Sequence, residues 1–277
     1  MAQIDHLLAQ TPPVDLYTSF TLPIPWNTIN ELLGIPSLDQ KVIAGYTKIL
    51  HSSTTTSEQM AATLKEFYAF CEELSKHGKA THDDSFLSQV QNGLRAGRIS
   101  QAEASMGILN LIVAGHVTTA SVMALAALML LLNPEQFHAL REEPEVVRNA
   151  VEELLRFDSI TNFGLPRVAA EDVLVGETLI SAGDGVIVSV ASANRDATVF
   201  DDPYKLDIRR EGARRHMTFG HGAHKCLGQW LAKAQLQIAL PALATRIPTL
   251  RLAVPVEDLS FIEDSTVFRV RELPVTW

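Results

Sequence analysis

A mainly α protein with small β-sheets is predicted by three observations. Apolar residues recur at helical spacing in most segments of the first 157 residues, often behind a cap. One internal run carries no formal charge between Glu103 and Glu135, too long for a strand. Alternating, turn-punctuated stretches are confined to residues 163–190 and the tail from Leu250 to Trp277.

The elements follow in order. Residues 1–10 form a short helix stopped by Thr11-Pro12-Pro13, and a second starts behind Asp15. Residues 22–26, with two prolines, make a turn, and residues 27–34 make a helix closed by Gly34. Ser37 caps another. Residues 56–76 repeat Met60, Leu64, Phe67, Phe70, Cys71 and Leu74 at helical spacing, and residues 83–93 form a short helix. The longest element runs from Ser100 to the stop at Asn133-Pro134. Its only polar residues from Ile108 to Leu132 are Asn110, His116, Thr118, Thr119 and Ser121. Its length would suit a membrane span. It is internal, lacks basic flanks and is polar at its middle, so it is read as the centre of a soluble fold. Residues 145–157 are amphipathic, and Glu153 and Arg156 share a helix face.

With 277 residues and 47% hydrophobic content the chain can bury a sizeable core. A net charge of −9 argues against non-specific nucleic-acid binding. Two cysteines exclude a disulfide scaffold, and an unpaired thiol at Cys71 suits a reducing cytoplasm. Cys71 reads as a small buried apolar residue. The N-terminus lacks the pattern of a signal peptide.

The most informative stretch is Phe219-Gly220-His221-Gly222-Ala223-His224-Lys225-Cys226-Leu227-Gly228. It delivers one cysteine to the start of a helix in which Trp230, Leu231, Ala234, Leu236 and Ile238 recur at helical spacing. A helix N-terminus favours a thiolate, the form that ligates metal. Gly220 and Gly222 allow a sharp turn close to a flat ligand, and His224 can hydrogen-bond an acidic group on it. Structural, redox and zinc readings compete. Zinc sites use paired ligands on separated arms, and His216, His221, His224 and Cys226 supply only one. In the long helix, Ala114-Gly115-His116-Val117-Thr118-Thr119 places a glycine where helix–helix packing is the simplest reading.

The spacing Phe-Gly-x-Gly-x-His-x-Cys-x-Gly resembles the heme-binding loop of the cytochromes P450. The resemblance covers essentially the whole chain, in the family's order. It implies a shortened bacterial-type P450 fold: a single heme-thiolate domain over residues 1–277 without the family's N-terminal lid region, its long central helix lying over the cysteine-ligand loop. It implies heme b (iron protoporphyrin IX) with Cys226 as axial ligand. Phe219 would shield the sulfur, with Gly220 and Gly228 completing the loop. His224 and Arg167 would hold heme propionates. Ala114 and Gly115 match the oxygen-binding helix motif, whose Thr118, followed by Thr119, would position oxygen and water. Glu153 and Arg156 resemble the family's structural ion pair, with Lys205 at the place of a third cation. Thr266 to Phe268 would touch substrate.

One departure stands out. The family's acid in the helix motif is Val117 here, which cannot relay a proton. His116 lies about 100° away around the helix.

Two functions follow. The first is a cytoplasmic monooxygenase that oxidises a small or medium apolar molecule, such as a secondary metabolite, with electrons from a ferredoxin-type donor. Peroxide use or a non-oxygenating reaction is its variant. The second is a non-catalytic or auxiliary protein of the same fold. Neither needs nucleic acid or a membrane. Self-association, or a partner chain over the region that the family's N-terminal part covers, is expected in both.

Overall fold

The computed structural model describes residues 2–35, 40–161 and 166–277. The expected cap at Ser37 and the stretch from Phe163 to Leu165 lie outside the described residues.

After α1 (Ala2–Leu8), Val14–Asp15 form strand β1 rather than the start of a helix. Asp15 still caps. Its carboxylate accepts from the amides of Tyr17 (3.0 Å) and Thr18 (3.2 Å) and from the Thr18 hydroxyl (2.6 Å). A π-helical turn (Tyr17–Thr21) then leads directly into α2 (Pro23–Leu33). The turn expected at residues 22–26 is therefore the first turn of a helix. Prolines are tolerated there because first-turn amides have no intrahelical acceptor. Next come α3 (Gln40–Leu50), α4 (Ser57–His77) and α5 (Phe86–Arg95). Thr56 and Gln59 close a reciprocal capping box at the start of α4, at 3.1 and 3.2 Å.

The long uncharged segment is two helices. α6 (Gln101–Gly115) and α7 (Val117–Leu131) meet at His116, whose backbone (φ −98°, ψ −76°) leaves the helical ladder. Hydroxyls explain the break. Thr118 donates to the Ala114 carbonyl, and Ser121 donates to the Val117 carbonyl at 2.7 Å. Such back-bonding bends helices. The break falls between two cores. α6 packs with Trp26, Ile29, Phe67, Cys71 and Leu87. α7 packs with α1, α9 (Val147–Phe157), α11 (Gln229–Arg246) and the tail. Of the most apolar window across this segment, 72% is buried within the fold, as a central helix requires. At Gly115 a Cβ would stand 2.4 Å from Ile29 Cδ1 and 2.9 Å from its Cγ1. The glycine serves helix–helix packing, letting α2 lie against α6.

α8 (Pro134–Glu142) and a 3-10 turn (Pro144–Val146) precede α9. Here Glu153 and Arg156 are both fully buried. Glu153 accepts from Arg156 Nε (2.7 Å) and Nη2 (2.8 Å), from Arg210 Nε (3.0 Å) and from the Asp207 amide (3.0 Å). The third cation is thus Arg210, and Lys205 contributes only its carbonyl, which accepts from Arg210 at 2.8 Å. Arg156 also donates to the carbonyls of Asn194 (2.8 Å) and Pro203 (2.9 Å), and its guanidinium lies 5.2 Å over the Phe200 ring.

The β region is smaller than the alternation suggests. β2 (Arg167–Val168) pairs with β5 (Gly185–Val186), and β3 (Val173–Val175) pairs with β4 (Thr178–Ile180), as separate antiparallel ladders. Val190 opens the short α10 (Val190–Ala193) instead of ending a strand. In the tail, β7 (Pro274–Thr276) lies between β1 and β6 (Arg251–Leu252) in a three-stranded sheet that joins the two ends of the chain. Residues 261–270 are held by the Phe261–Val270 bridge and form no continuous strand.

Glu153→Gln leaves two guanidinium groups buried without a carboxylate, and should lower folding stability by about 3–5 kcal/mol, read as a fall in the urea midpoint. Gly115→Ala gains about 1 kcal/mol of helix propensity but overpacks against Ile29, for a net loss of about 1–2 kcal/mol. In an Ile29→Ala background, which removes both clashing carbons, the same change should become neutral or stabilising. A loss of equal size in both backgrounds would exclude Ile29 as the cause.

Candidate cysteine-loop site

The loop that carries Cys226 is anchored from α9. The Asn194 side chain, itself fully buried, accepts from the Met217 amide at 2.7 Å and donates to Thr218 Oγ1 at 3.0 Å. Thr218 Oγ1 donates to the Leu155 carbonyl at 2.6 Å. The Asn194 carbonyl takes a hydrogen bond from Arg156, so one chain of bonds runs from the Glu153 carboxylate to the residue before Phe219. Beside it, His216 Nε2 lies 3.0 Å from Glu152 Oε2, and Lys233 Nζ lies 2.8 Å from the same oxygen. Burial pushes the Glu152 carboxyl up, but hydrogen bonds from His216 and Lys233 outweigh it and hold the group below its ordinary range. Lys233 also stands 5.3 Å over the Phe219 ring and 5.5 Å over Trp230. Asn194, Thr218, Glu152 and Lys233 carry no motif spacing, and sequence reasoning missed them as anchors.

From Phe219 the chain turns twice. Gly220 (φ +71°) and Gly222 (φ +80°) occupy the left-handed region that glycine tolerates. The Cys226 amide returns to the Phe219 carbonyl at 2.9 Å and closes the loop. Phe219 packs its ring on the larger core, while residues 220–228, with His224 and Cys226 among them, are exposed. Gly228 is the N-cap of α11, so Cys226 stands at a helix start as expected. A Cβ added at Gly220, Gly222 or Gly228 would meet nothing within 4 Å. The apolar residues of α11 lie on two faces. Leu236, Ala239, Leu240 and Leu243 are buried, whereas Trp230 and Ile238 are 74% and 72% exposed. No group of three or more His, Cys, Asp or Glu side chains that could hold an ion occurs among the described residues.

On the helix pair, Ala114 and Thr118 are four residues apart and neither is buried. Gly115 faces Ile29, while Val117 and Thr119 are each 6% exposed and turned inward. Thr119 therefore does not share the face of Thr118. Arg167 is exposed on β2. Cys71 is fully buried, and burial pushes its thiol up to about 12, so it is inert.

A mainly helical fold that presents one thiol on an open glycine loop, braced from beneath by a buried Glu–Arg network, is the class these features define. The Cytochrome P450 family model matches residues 32–247. "Cytochrome P450-SU2" of Streptomyces griseolus is 42% identical over 275 residues, which are 99% of this chain and 67% of that protein. The "Nocardicin C N-oxygenase" of Nocardia uniformis is 39% identical, across 99% of this chain and 70% of its own. Among solved structures, the mycinamicin VIII C21 methyl hydroxylase of Micromonospora griseorubida aligns with a TM-score of 0.92 at 37% identity, over 100% of this chain and 70% of its own. The chain belongs to the cytochrome P450 family of heme-dependent monooxygenases, and spans about two thirds of the length of these relatives.

His116, at the break between α6 and α7, is only 2% exposed. Its ring lies edge-on to Trp26 at 4.9 Å, and neither ring nitrogen has a hydrogen-bond partner among the described residues. It is packed inside the fold against Trp26, whereas Ala114 and Thr118 are not buried. Burial, with His51 and Arg269 adding to it, lowers its pKa from 6.5 to about 4. Between those values the unfolded chain binds a proton that the folded chain does not. The stability from burying a neutral ring is complete above about 6.5 and is lost as the pH falls toward 4. His116→Phe keeps a ring against Trp26 and removes this titration. Denaturation at pH 7 and pH 5 should show a smaller acid loss in the variant, with a residue from His51, whose pKa burial also lowers.

Proposed function

We propose that this chain is a heme b monooxygenase that oxidises a small or medium apolar secondary metabolite, with Cys226 as the thiolate that would hold the iron. The exposed thiol on the Gly220–Gly222 loop carries this reading. The residues fit the group. A macrocycle brings its own nitrogens, so one protein thiolate would complete the binding, and among the described residues no group of His, Cys, Asp or Glu gathers to favour a bare ion. The backbone over the glycines leaves room for a flat ligand. Heme supplies the redox centre at which oxygen is reduced and transferred, and thiolate donation favours O–O cleavage.

The chain's own residues take the following parts. Cys226 donates its sulfur from a rigid loop, and Phe219 covers the core side of that loop. His224 and Arg167 bind the propionates. Ala114 and Thr118 would line the oxygen side, and the Thr118 hydroxyl, whose proton goes to the Ala114 carbonyl, would accept from water there. Electrons come from a ferredoxin-type protein, and the enzyme works in the cytoplasm as a single domain. Leu227, Trp230 and Ile238, at 95%, 74% and 72% exposure, supply the apolar surface for self-association or a partner chain.

A second reading rests on Val117. An inward-facing valine at the acid position offers no proton, which favours peroxide use, a non-oxygenating reaction or an auxiliary role. The substrate class is supported by the relatives' names, among them a pentalenic acid synthase and the nocardicin C N-oxygenase.

The test is the reduced, CO-bound spectrum of the protein purified with heme available. A Soret band at the thiolate position, lost in Cys226→Ser, is expected. Failure to take up heme, or a band that survives Cys226→Ser, would refute the assignment of the ligand.

A further inference from the structure

One carboxylate oxygen organises the surroundings of Phe219. Glu152 Oε2 lies 3.0 Å from His216 Nε2 and 2.8 Å from Lys233 Nζ. The Thr218 amide donates to His216 Nδ1 at 3.2 Å, so the ring N–H is the one on Nε2, and it donates to Glu152. Both partners of that oxygen also meet the Phe219 ring. The His216 and Phe219 ring centroids are 5.7 Å apart with their planes at 55°, and Lys233 Nζ stands 5.3 Å from the Phe219 centroid. The side chains of His216, Lys233 and Glu152 are only 2%, 12% and 17% exposed. Glu152 comes from α9, Lys233 from α11 and His216 from the coil ahead of the loop. Three separate parts of the chain therefore converge on one aromatic ring.

The ring needs this support because the chain beyond it supplies none. Gly220 (φ +71°) follows directly, and residues 220–228 are exposed. The Phe219 carbonyl takes the Cys226 amide at 2.9 Å. The residue that the cluster grips is thus the one that closes the cysteine loop. Adjacent carboxylates of α9 have different tasks here. Glu153 holds the coil that leads up to Thr218, through Arg156 and Asn194, whereas Glu152 holds the ring at which the loop begins.

We propose that Glu152, His216 and Lys233 are positioning residues for the thiol: they fix the Phe219 ring and, through its carbonyl, the Cys226 end of the loop, and so keep water from the sulfur. The inference rests on the reading of Cys226 as the heme thiolate, and adds the side chains that set the reduction potential at that site. Reduction adds one negative charge beside the sulfur, and the apolar shell around a metal site controls its potential through solvent access. Water admitted by a loosened clamp favours the reduced form and raises the potential. A direct, through-space effect of Lys233 has the opposite sign, because removing a positive charge lowers the potential.

The experiment uses the full chain with and without heme. In the heme-loaded protein, Lys233→Met and Glu152→Gln should both raise the midpoint potential, enough to change the reduced-to-oxidised ratio at fixed poise by about threefold or more. Lys233→Arg, which keeps a cation for Glu152 and Phe219, should restore most of the original value. In a Phe219→Leu background, Lys233→Met should add nothing. In the heme-free protein, the Cys226 amide should exchange with solvent about tenfold faster in Lys233→Met, while the Met217 amide, held by Asn194, keeps its rate. A potential that falls in Lys233→Met shows the charge acting directly and overturns the proposal. A shift that survives in full in the Phe219→Leu background does so too, as does an unchanged potential. Equal acceleration of the Met217 and Cys226 amides marks a general loss of stability and also overturns it. If the unmodified chain takes up no heme while the exchange pattern holds, the clamp stands and the monooxygenase reading fails.

Discussion

The buried carboxylate of Glu153 is the interaction on which the cysteine loop depends. Four donors converge on it, two from Arg156, one from Arg210 and one from the Asp207 backbone. The donors come from two parts of the chain, α9 and the coil at residues 207–210. Arg156 hands the constraint to Asn194, whose side chain fixes Met217 and Thr218. Phe219 follows at once. Irregular backbone over residues 194–219 is thereby held without regular secondary structure. A buried ion pair is weak evidence of added stability, since dehydrating it costs about what the attraction returns. Its use here is positional: it gives a coil one conformation.

The central helix pair imposes the second constraint. α6 belongs to one core and α7 to the other, and the break at His116 lets them take different directions. The Thr118 hydroxyl that helps make the break is also the hydroxyl offered on the unburied face beside Ala114. Shape and chemistry share one side chain. Gly115, one residue away, sets how near α2 can approach and so where Trp26 meets the His116 ring.

Much of this was legible in the sequence, and the failures have physical causes. Period found α4, and Ser100 marked the start of α6; the capping boxes Thr56–Gln59 and Ser100–Glu103 that the structure adds are local devices that need no tertiary context. The start of α2 was misread as a turn because proline is a breaker only inside a helix, and periodicity does not reveal where the inside begins. The break at His116 was invisible because it comes from hydroxyl back-bonding, which composition does not signal. Lys205 was placed as the third cation by resemblance, whereas Arg210 does the work. Which cation reaches a buried carboxylate depends on the path of a coil, and no spacing rule covers a coil. Cys226 was the easiest residue to find, since a glycine loop ahead of a helix can be read from adjacent residues alone.

The closed and open parts of the molecule divide the labour. Glu153, Arg156, Asn194 and Leu155 are fully or almost fully buried, and every polar atom discussed among them has a partner. The loop they support is exposed from Gly220 to Gly228, and on the adjoining helix Trp230 and Ile238 face outward. On the heme-binding reading proposed above, the loop stays unpacked because packing would fill the space the ligand takes. Its order therefore has to be imposed from below. That is why the polar network of Glu153, Arg156 and Asn194 lies under the thiol and not around it.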